Sequence, residues 1–220
     1  MDTVFFIGNI GSGKSTATRH LEARGARRID LDELAKGLYA SGSAIVDELA
    51  SEFGWDIVDE DGAIARAVLA ERAFATPEAT GRLDAIVHPA VLARLGDILL
   101  PAACCAATPP SYPLTVVEVS APAAFRDAFA LADEIVAITA PYDVRRRRAL
   151  GRGMSADDFD RRSAVQPDEG ELCALASTVI DNEDPLSSFI AQVDAWAAAR
   201  GIELDEVPAD GGSDREGSHG

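Results

Sequence analysis

Cysteine is scarce in this 220-residue chain: Cys104, Cys105 and Cys173 are the only three. The count is odd, two are adjacent, and no spacing suits a metal. The pattern argues against a disulfide framework and for a reducing compartment, so a cytoplasmic protein is expected. All three read as buried small hydrophobes. Basic residues are also short, 20 against 37 acidic ones, for a net charge of −17. A chain this acidic repels nucleic acid and anionic membrane, and neither is an expected partner. Any anionic ligand then needs a local positive site. Long apolar runs are missing too. The stretch "VLARLGDILLPAACCAA" is broken by Arg94, Asp97 and Pro101, so no membrane span is predicted. The opening residues "MDTVFFIGNI" lack the basic lead and small-residue cleavage site of a secretory leader.

The chain does have enough apolar residues for a core, 47% of the total. They fall in strand-like and helix-like runs that alternate. "TVFFI", "ARRID", "LTVVEV", "EIVAIT" and "STVIDN" read as five short strands. A helix is predicted after the first loop, to about Arg24, with Gly25 as its stop. From Leu31 to about Ala103 the pattern is largely helical, with one break at "FGWDIVDEDG" and a turn at Asp61–Gly62. "PLSSFIAQVDAWAAAR" is the last predicted helix. Alternating strands and helices imply an α/β fold, a parallel sheet covered on both faces. The long helical stretch is expected as an insertion over the carboxyl ends of the strands, where such sheets bind ligands.

"GNIGSGKST" follows the first strand and opens the first helix. Gly8, Gly13, Lys14 and Ser15 match G-x-x-x-x-G-K-[ST]. Glycines let successive backbone N–H groups turn inward toward phosphate oxygens. The helix that follows adds its N-terminal partial charge. Lys14 suits the β- and γ-phosphates, and the Ser15 hydroxyl suits magnesium. The expected nucleotide contacts run through Gly8, Asn9, Ile10, Gly11, Ser12, Gly13, Lys14, Ser15 and Thr16. ATP and Mg2+ are the expected cofactors.

"RRIDLDEL" carries Asp30 and Asp32 at the end of the second strand, beside the loop. One reading makes such a carboxylate a base or a magnesium ligand; the other makes it a helix cap. Four arginines, Arg145 to Arg148, follow the fourth strand with Arg152 close behind. They cannot share one helix face, so one or two are expected to reach the γ-phosphate. His88, in "IVHPAV", reads from its surroundings as a packed residue.

Taken in order, these segments resemble the bacterial dephospho-CoA kinase family. "IGNIGSGKST" resembles its phosphate loop and "GARRIDLDELAK" its Asp-x-Asp segment. "SGSAIVDELASEFG", "DGAIARAVLAERAF", Pro77–Glu78 and "IVHPAV" are similar to its CoA-side helices, and "VIDN" to its last strand. The likeness covers about residues 1 to 200. It implies a three-layer P-loop kinase fold with a five-stranded parallel sheet, a helical CoA-side insertion and a lid. The implied layout is one domain over residues 1–204. Its core is about 1–30 and 112–204, its insertion about 31–111 and its lid about 145–170, and a flexible acidic tail follows at 205–220. The implied reaction moves a phosphoryl group from ATP to the ribose 3′-hydroxyl of dephospho-CoA, with the enzyme as a monomer. By the resemblance Asp32 is the base. Asp30, Arg66 and His88 belong to the dephospho-CoA site or support it, and Arg147, with Arg152, faces the ATP phosphates.

The chain departs from the family in places. "EVSAPAAF" replaces Pro-Leu-Leu-x-Glu after the third strand, with Glu118 at the preceding acidic position. Gly151 stands where a second lid arginine is usual. Leu172 stands near a usual basic residue, and Ala176–Ser177 replaces Ala-Asp. Two other readings remain open at this level. One is a P-loop kinase for another hydroxyl acceptor; the other is a nucleotide-binding protein without kinase activity. A GTPase is disfavoured because no Asn-Lys-x-Asp guanine reader occurs.

Overall fold

The structure is a computed structural model that describes residues 2–100, 112–183 and 185–205. Five strands form one parallel sheet: β1 (Asp2–Ile7), β2 (Arg27–Asp30), β3 (Leu114–Val119), β4 (Glu134–Thr139) and β5 (Thr178–Asp181). Their order is β2-β3-β1-β4-β5. All five strands expected from the sequence are present. The central strand β1 pairs with β3 and β4, aligning Phe6 with Glu118 and Val136. Asp30 of β2 also pairs with Glu118. Two carboxylates thus sit side by side at the carboxyl end of adjacent strands.

Strand side chains alternate between faces, and here the alternation divides the core in two. Val4, Phe6, Leu114, Val116, Val136 and Ile138 pack against α1 (Lys14–Ala23) and α9 (Leu186–Ala199). Phe5, Ile7, Val117, Val119 and Ala137 face the other way, toward the helices between β2 and β3. Both faces are covered, so the strands read as continuous apolar runs rather than alternating ones. Glu118 is the exception, a charged residue in a strand buried along its whole length.

The stretch between β2 and β3 breaks in three places among its described residues, where one break was expected. Its helices are α2 (Leu31–Gly37), α3 (Ile45–Phe53), α4 (Arg66–Ala73) and α5 (Pro77–Leu99). The expected break holds a 3-10 turn at Trp55–Ile57 and a bridge between Val58 and Ile64. The second break contains Gly42 at φ 76, in the left-handed region that glycine adopts without a Cβ clash. The third ends at Thr76, whose side chain accepts the Ala79 N–H while Pro77 takes the first helical position. α2 starts at the carboxyl end of β2. α3 to α5 bury Leu49, Leu69, Leu83, Val87 and Val91 in the same core as that sheet face.

After β4 come α6 (Tyr142–Gly151), α7 (Ala156–Ala164) and α8 (Glu169–Ala174). Cys173 lies on α8, half-exposed with a free thiol, and is not the buried hydrophobe the sequence suggested. Burial still pushes its thiol pKa up, with Glu169 adding to the effect. Cys104, Cys105 and the acidic tail from residue 206 lie outside the described residues.

Phe6 is fully buried and meets Trp196 of α9 edge-on, with ring centroids 5.4 Å apart. Phe6→Ala is expected to lower unfolding free energy by about 3–5 kcal/mol. Urea denaturation followed by tryptophan fluorescence checks this.

Candidate active site

The first turn of α1 faces the end of β1 across the loop Gly8–Gly13. Gly11 and Gly13 hold φ of 79° and 111°. A Cβ at Gly11 would lie 2.6 Å from the Arg145 carbonyl oxygen, so only glycine fits there. α1 has no side-chain cap and no acidic residue in its first turn. Among the described residues, no hydrogen bond engages the amides of Gly11, Gly13, Lys14 or Ser15. A helix terminus with free amides is an anion site. The loop is fixed from behind by Asn182, which follows β5. Its amide donates to the Ser12 carbonyl at 2.6 Å and its oxygen accepts from Arg148 at 3.1 Å.

Glu118, 3% exposed, organises the floor of the site. It accepts the Ser15 hydroxyl, the Thr18 hydroxyl at 2.9 Å and an Arg28 N–H at 2.7 Å. Arg28 also reaches Asp30 at 2.6 Å. Burial opposes the Glu118 charge. Hydrogen bonds from Ser15, Arg28 and Thr18, with the Lys14 charge, outweigh that and hold its carboxyl below the usual value. Burial pushes the Lys14 ammonium down, while Glu118, Asp32 and Asp30 pull it up. The sequence reading placed neither Glu118 nor Arg28 among the site residues. One signal was available: a lone charge inside the strand "LTVVEV".

These groups open onto a cavity of about 680 Å³. Asn9 to Gly11, Gly13 to Thr16, Asp32 and Glu118 form one side, and Ser120 to Ala124 form a wall of small side chains. Arg152, Met154, Arg162 and Gln166, from the segment after β4, close it on another side. Asp32 lies here with its carboxylate free of hydrogen bonds among the described residues. Asp30 does not line the cavity. It caps α2, accepting the N–H groups of Asp32 at 3.0 Å and Glu33 at 3.3 Å. The structure therefore gives each aspartate a separate place: one caps, the other faces the cavity.

The four arginines point four ways, as helical geometry requires. Arg145 donates to the carbonyls of Ala140 and Ile10, Arg146 contacts Asp160, and Arg148 binds Asn182. Arg147 is exposed and lines a second cavity of about 740 Å³, on the side of Gly11, Gly13 and Thr16. Arg152 borders both cavities. Gly151 also lines the second, with open space where a side chain would project. Leu172, in place of a basic residue, is buried in the core.

Arg66 lies apart, in a third cavity of about 420 Å³ with Glu33, Lys36 and Tyr39. Burial raises the Tyr39 hydroxyl pKa, Arg66 opposing. His88 lines none of these cavities. It packs against Phe125 at 4.8 Å, bracing the wall that begins at Ser120, and lies 3.5 Å from an Asp84 oxygen. For a divalent cation, the Ser15 hydroxyl offers an oxygen at the cavity, oriented by the Glu118 carboxylate that accepts its proton in a hydrogen bond. No cluster of three or more His, Cys, Asp or Glu suited to a metal occurs among the described residues. That set fits magnesium, which takes one or two protein oxygens and completes its shell with phosphate and water.

The family model of dephospho-CoA kinase matches residues 3–188. The chain belongs to the dephospho-CoA kinase family. A dephospho-CoA kinase of Aromatoleum aromaticum is 36% identical over 192 residues, covering 87% of this chain and 90% of that protein. The Frankia casuarinae dephospho-CoA kinase is 34% identical over 198 residues, covering 88% and 81%. A Thermus thermophilus crystal structure, TT1252, superposes with a TM-score of 0.70 at 28% identity, covering 90% of this chain and 97% of that one. The family transfers phosphate from ATP to a hydroxyl of dephospho-CoA. The fold is that of the P-loop kinases.

The Glu118 carboxyl titrates below its ordinary value of 4.5, so its stabilisation is complete above about that pH. It is lost as pH falls through the lowered folded-state value. Glu118→Gln is expected to cost about 3 kcal/mol at neutral pH. The gap between variant and parent should shrink below about pH 4.5. Denaturation curves across pH measure it.

Proposed function

We propose that this chain phosphorylates the ribose 3′-hydroxyl of dephospho-CoA with Asp32 as the base. The observation that carries the reading is the meeting of Lys14, Ser15, Glu118 and Asp32 in one cavity. Lys14 and the free amides of Gly11, Gly13 and Ser15 hold the β- and γ-phosphates. Ser15 holds magnesium, with Glu118 behind it orienting the hydroxyl. A magnesium ion held there would supply neutralisation of phosphate charge as the group transfers. Asp32 accepts the proton of the attacking hydroxyl. The new bond joins that oxygen to phosphorus, the bond to the ADP oxygen breaks, and ADP leaves with the electron pair. Arg152 borders both cavities and clamps the transferring group; Arg147 contacts ATP from the outer side of the loop.

The acceptor runs along α2. Asp32 and Lys36 are four residues apart, one helical turn and roughly 6 Å. Lys36 and Arg66 supply positive charge to the diphosphate arm of dephospho-CoA in the third cavity, with Tyr39 beside them. His88 supports this site through Phe125 rather than by touching the substrate.

The decisive assay follows ADP release with MgATP, with and without dephospho-CoA. Release should require the acceptor. Asp32→Asn should lower kcat by about 10²–10⁴-fold with KM for ATP little changed. Acceptor-independent release, or full activity in the variant, would sink the assignment. In the same assay, Arg66→Ala should raise KM for dephospho-CoA about tenfold or more and leave KM for ATP alone. An equal effect on both would place Arg66 elsewhere.

A further inference from the structure

The lid meets the phosphate loop through two hydrogen bonds. The Ile10 N–H donates to the Gln166 side-chain oxygen at 2.8 Å, and the Asn9 amide donates to the Pro167 carbonyl at 2.9 Å. The partners lie 156 and 158 residues apart, so neither bond can form unless the lid rests over the cavity. On the next peptide, the Ile10 carbonyl accepts from Arg145 at 3.3 Å. Ile10 is thus gripped at both its N–H and its C=O, one residue before the first free amide of the cradle. Asn9 is 8% exposed, and its own oxygen has no partner among the described residues. Gln166 follows α7, whose Arg162 lines the cavity and is held at 3.1 Å by Asp158.

We propose that Gln166 is a positioning residue for phosphoryl transfer: it latches the lid to the phosphate loop through Ile10. The inference rests on the kinase reading above. The latch sets the direction of the amides that follow Ile10 and keeps Arg162 over the cavity. It also excludes water, which would otherwise attack the γ-phosphorus, forming phosphate and ADP in place of the acceptor product. A neutral amide suits the place. It supplies the acceptor oxygen without adding negative charge beside the phosphates.

Gln166→Met keeps length and neutrality but removes the acceptor; Gln166→Glu keeps the acceptor and adds charge. In Gln166→Met, ADP released per CoA formed should rise about fivefold, the effect of one neutral hydrogen bond. The loss should fall on kcat more than on KM for dephospho-CoA. Gln166→Glu should restore the coupling ratio while raising KM for ATP. Amide hydrogen exchange, read without any substrate, should be about tenfold faster at Ile10 in Gln166→Met than in the parent. An unchanged coupling ratio in Gln166→Met overturns the proposal, and so does equal uncoupling in the two variants. Equal Ile10 exchange in parent and Gln166→Met overturns it as well. A parent that ignores dephospho-CoA but protects Ile10 would overturn the acceptor assignment and leave the latch standing.

Discussion

A carboxylate buried in an apolar sheet demands compensation, and the ways this chain compensates Glu118 account for much of its active site. A solitary buried charge is costly enough to neutralise itself or unfold the protein. Here three donors and a nearby ammonium prevent that. Lys14, Ser15 and Thr18 come from the first turns of α1 and Arg28 from β2. The strand register places Asp30 next to Glu118, and Arg28 joins both. One buried charge thus ties the helix that follows the phosphate loop to the strand that leads into α2. The same carboxylate orients the hydroxyl assigned to magnesium.

An anionic substrate in a chain of net charge −17 poses an apparent contradiction. Charge placement resolves it. Backbone amides carry much of the positive field at the loop, and they cost the composition nothing. Five basic side chains add to them: Lys14 inside, Arg152 and Arg162 across the cavity, Arg147 and Arg148 beyond the loop. Outside this region acidic residues dominate, which disfavours nonspecific binding of other polyanions. Seven of the other described cations are engaged by carboxylates, among them Arg72 with Asp56 and Arg200 with Glu134.

How much of this could be read from the sequence differs between elements, for physical reasons. Strands buried on both faces are short apolar runs with sharp ends, so β3 and β4 were bounded to the residue. The phosphate loop was legible because its chemistry is local: glycines, lysine and serine within nine residues. The insertion was less so. Its two extra breaks depend on a left-handed glycine and a threonine cap, weak signals inside a helical pattern. Asp30 and Asp32 could not be separated by spacing, since both sit where a cap or a base can sit. Only the fold shows that the Asp30 side chain is spent on backbone N–H groups. Glu118 was missed as a site residue because its partners are distant in sequence, about 100 residues for Ser15 and Thr18. The grip of Gln166 on Ile10 had no local signature at all.

The segment Ser120–Ala124 forms one wall of the transfer cavity. Its side chains are small, so the wall offers contact and few polar anchors. Discrimination among acceptors must then come from elsewhere. α2 is the element suited to it. Its first turn carries Asp32 into the transfer cavity, and its last turn carries Lys36 into the cavity shared with Arg66. A rigid helix fixes the distance between the proposed base and the proposed anchor. An acceptor whose anionic arm lies one turn from its hydroxyl meets both at once, and a shorter alcohol meets only one. Phosphoryl transfer depends on alignment more than on covalent chemistry. A ruler of this kind therefore acts on rate as well as on binding, without needing a closely fitted wall.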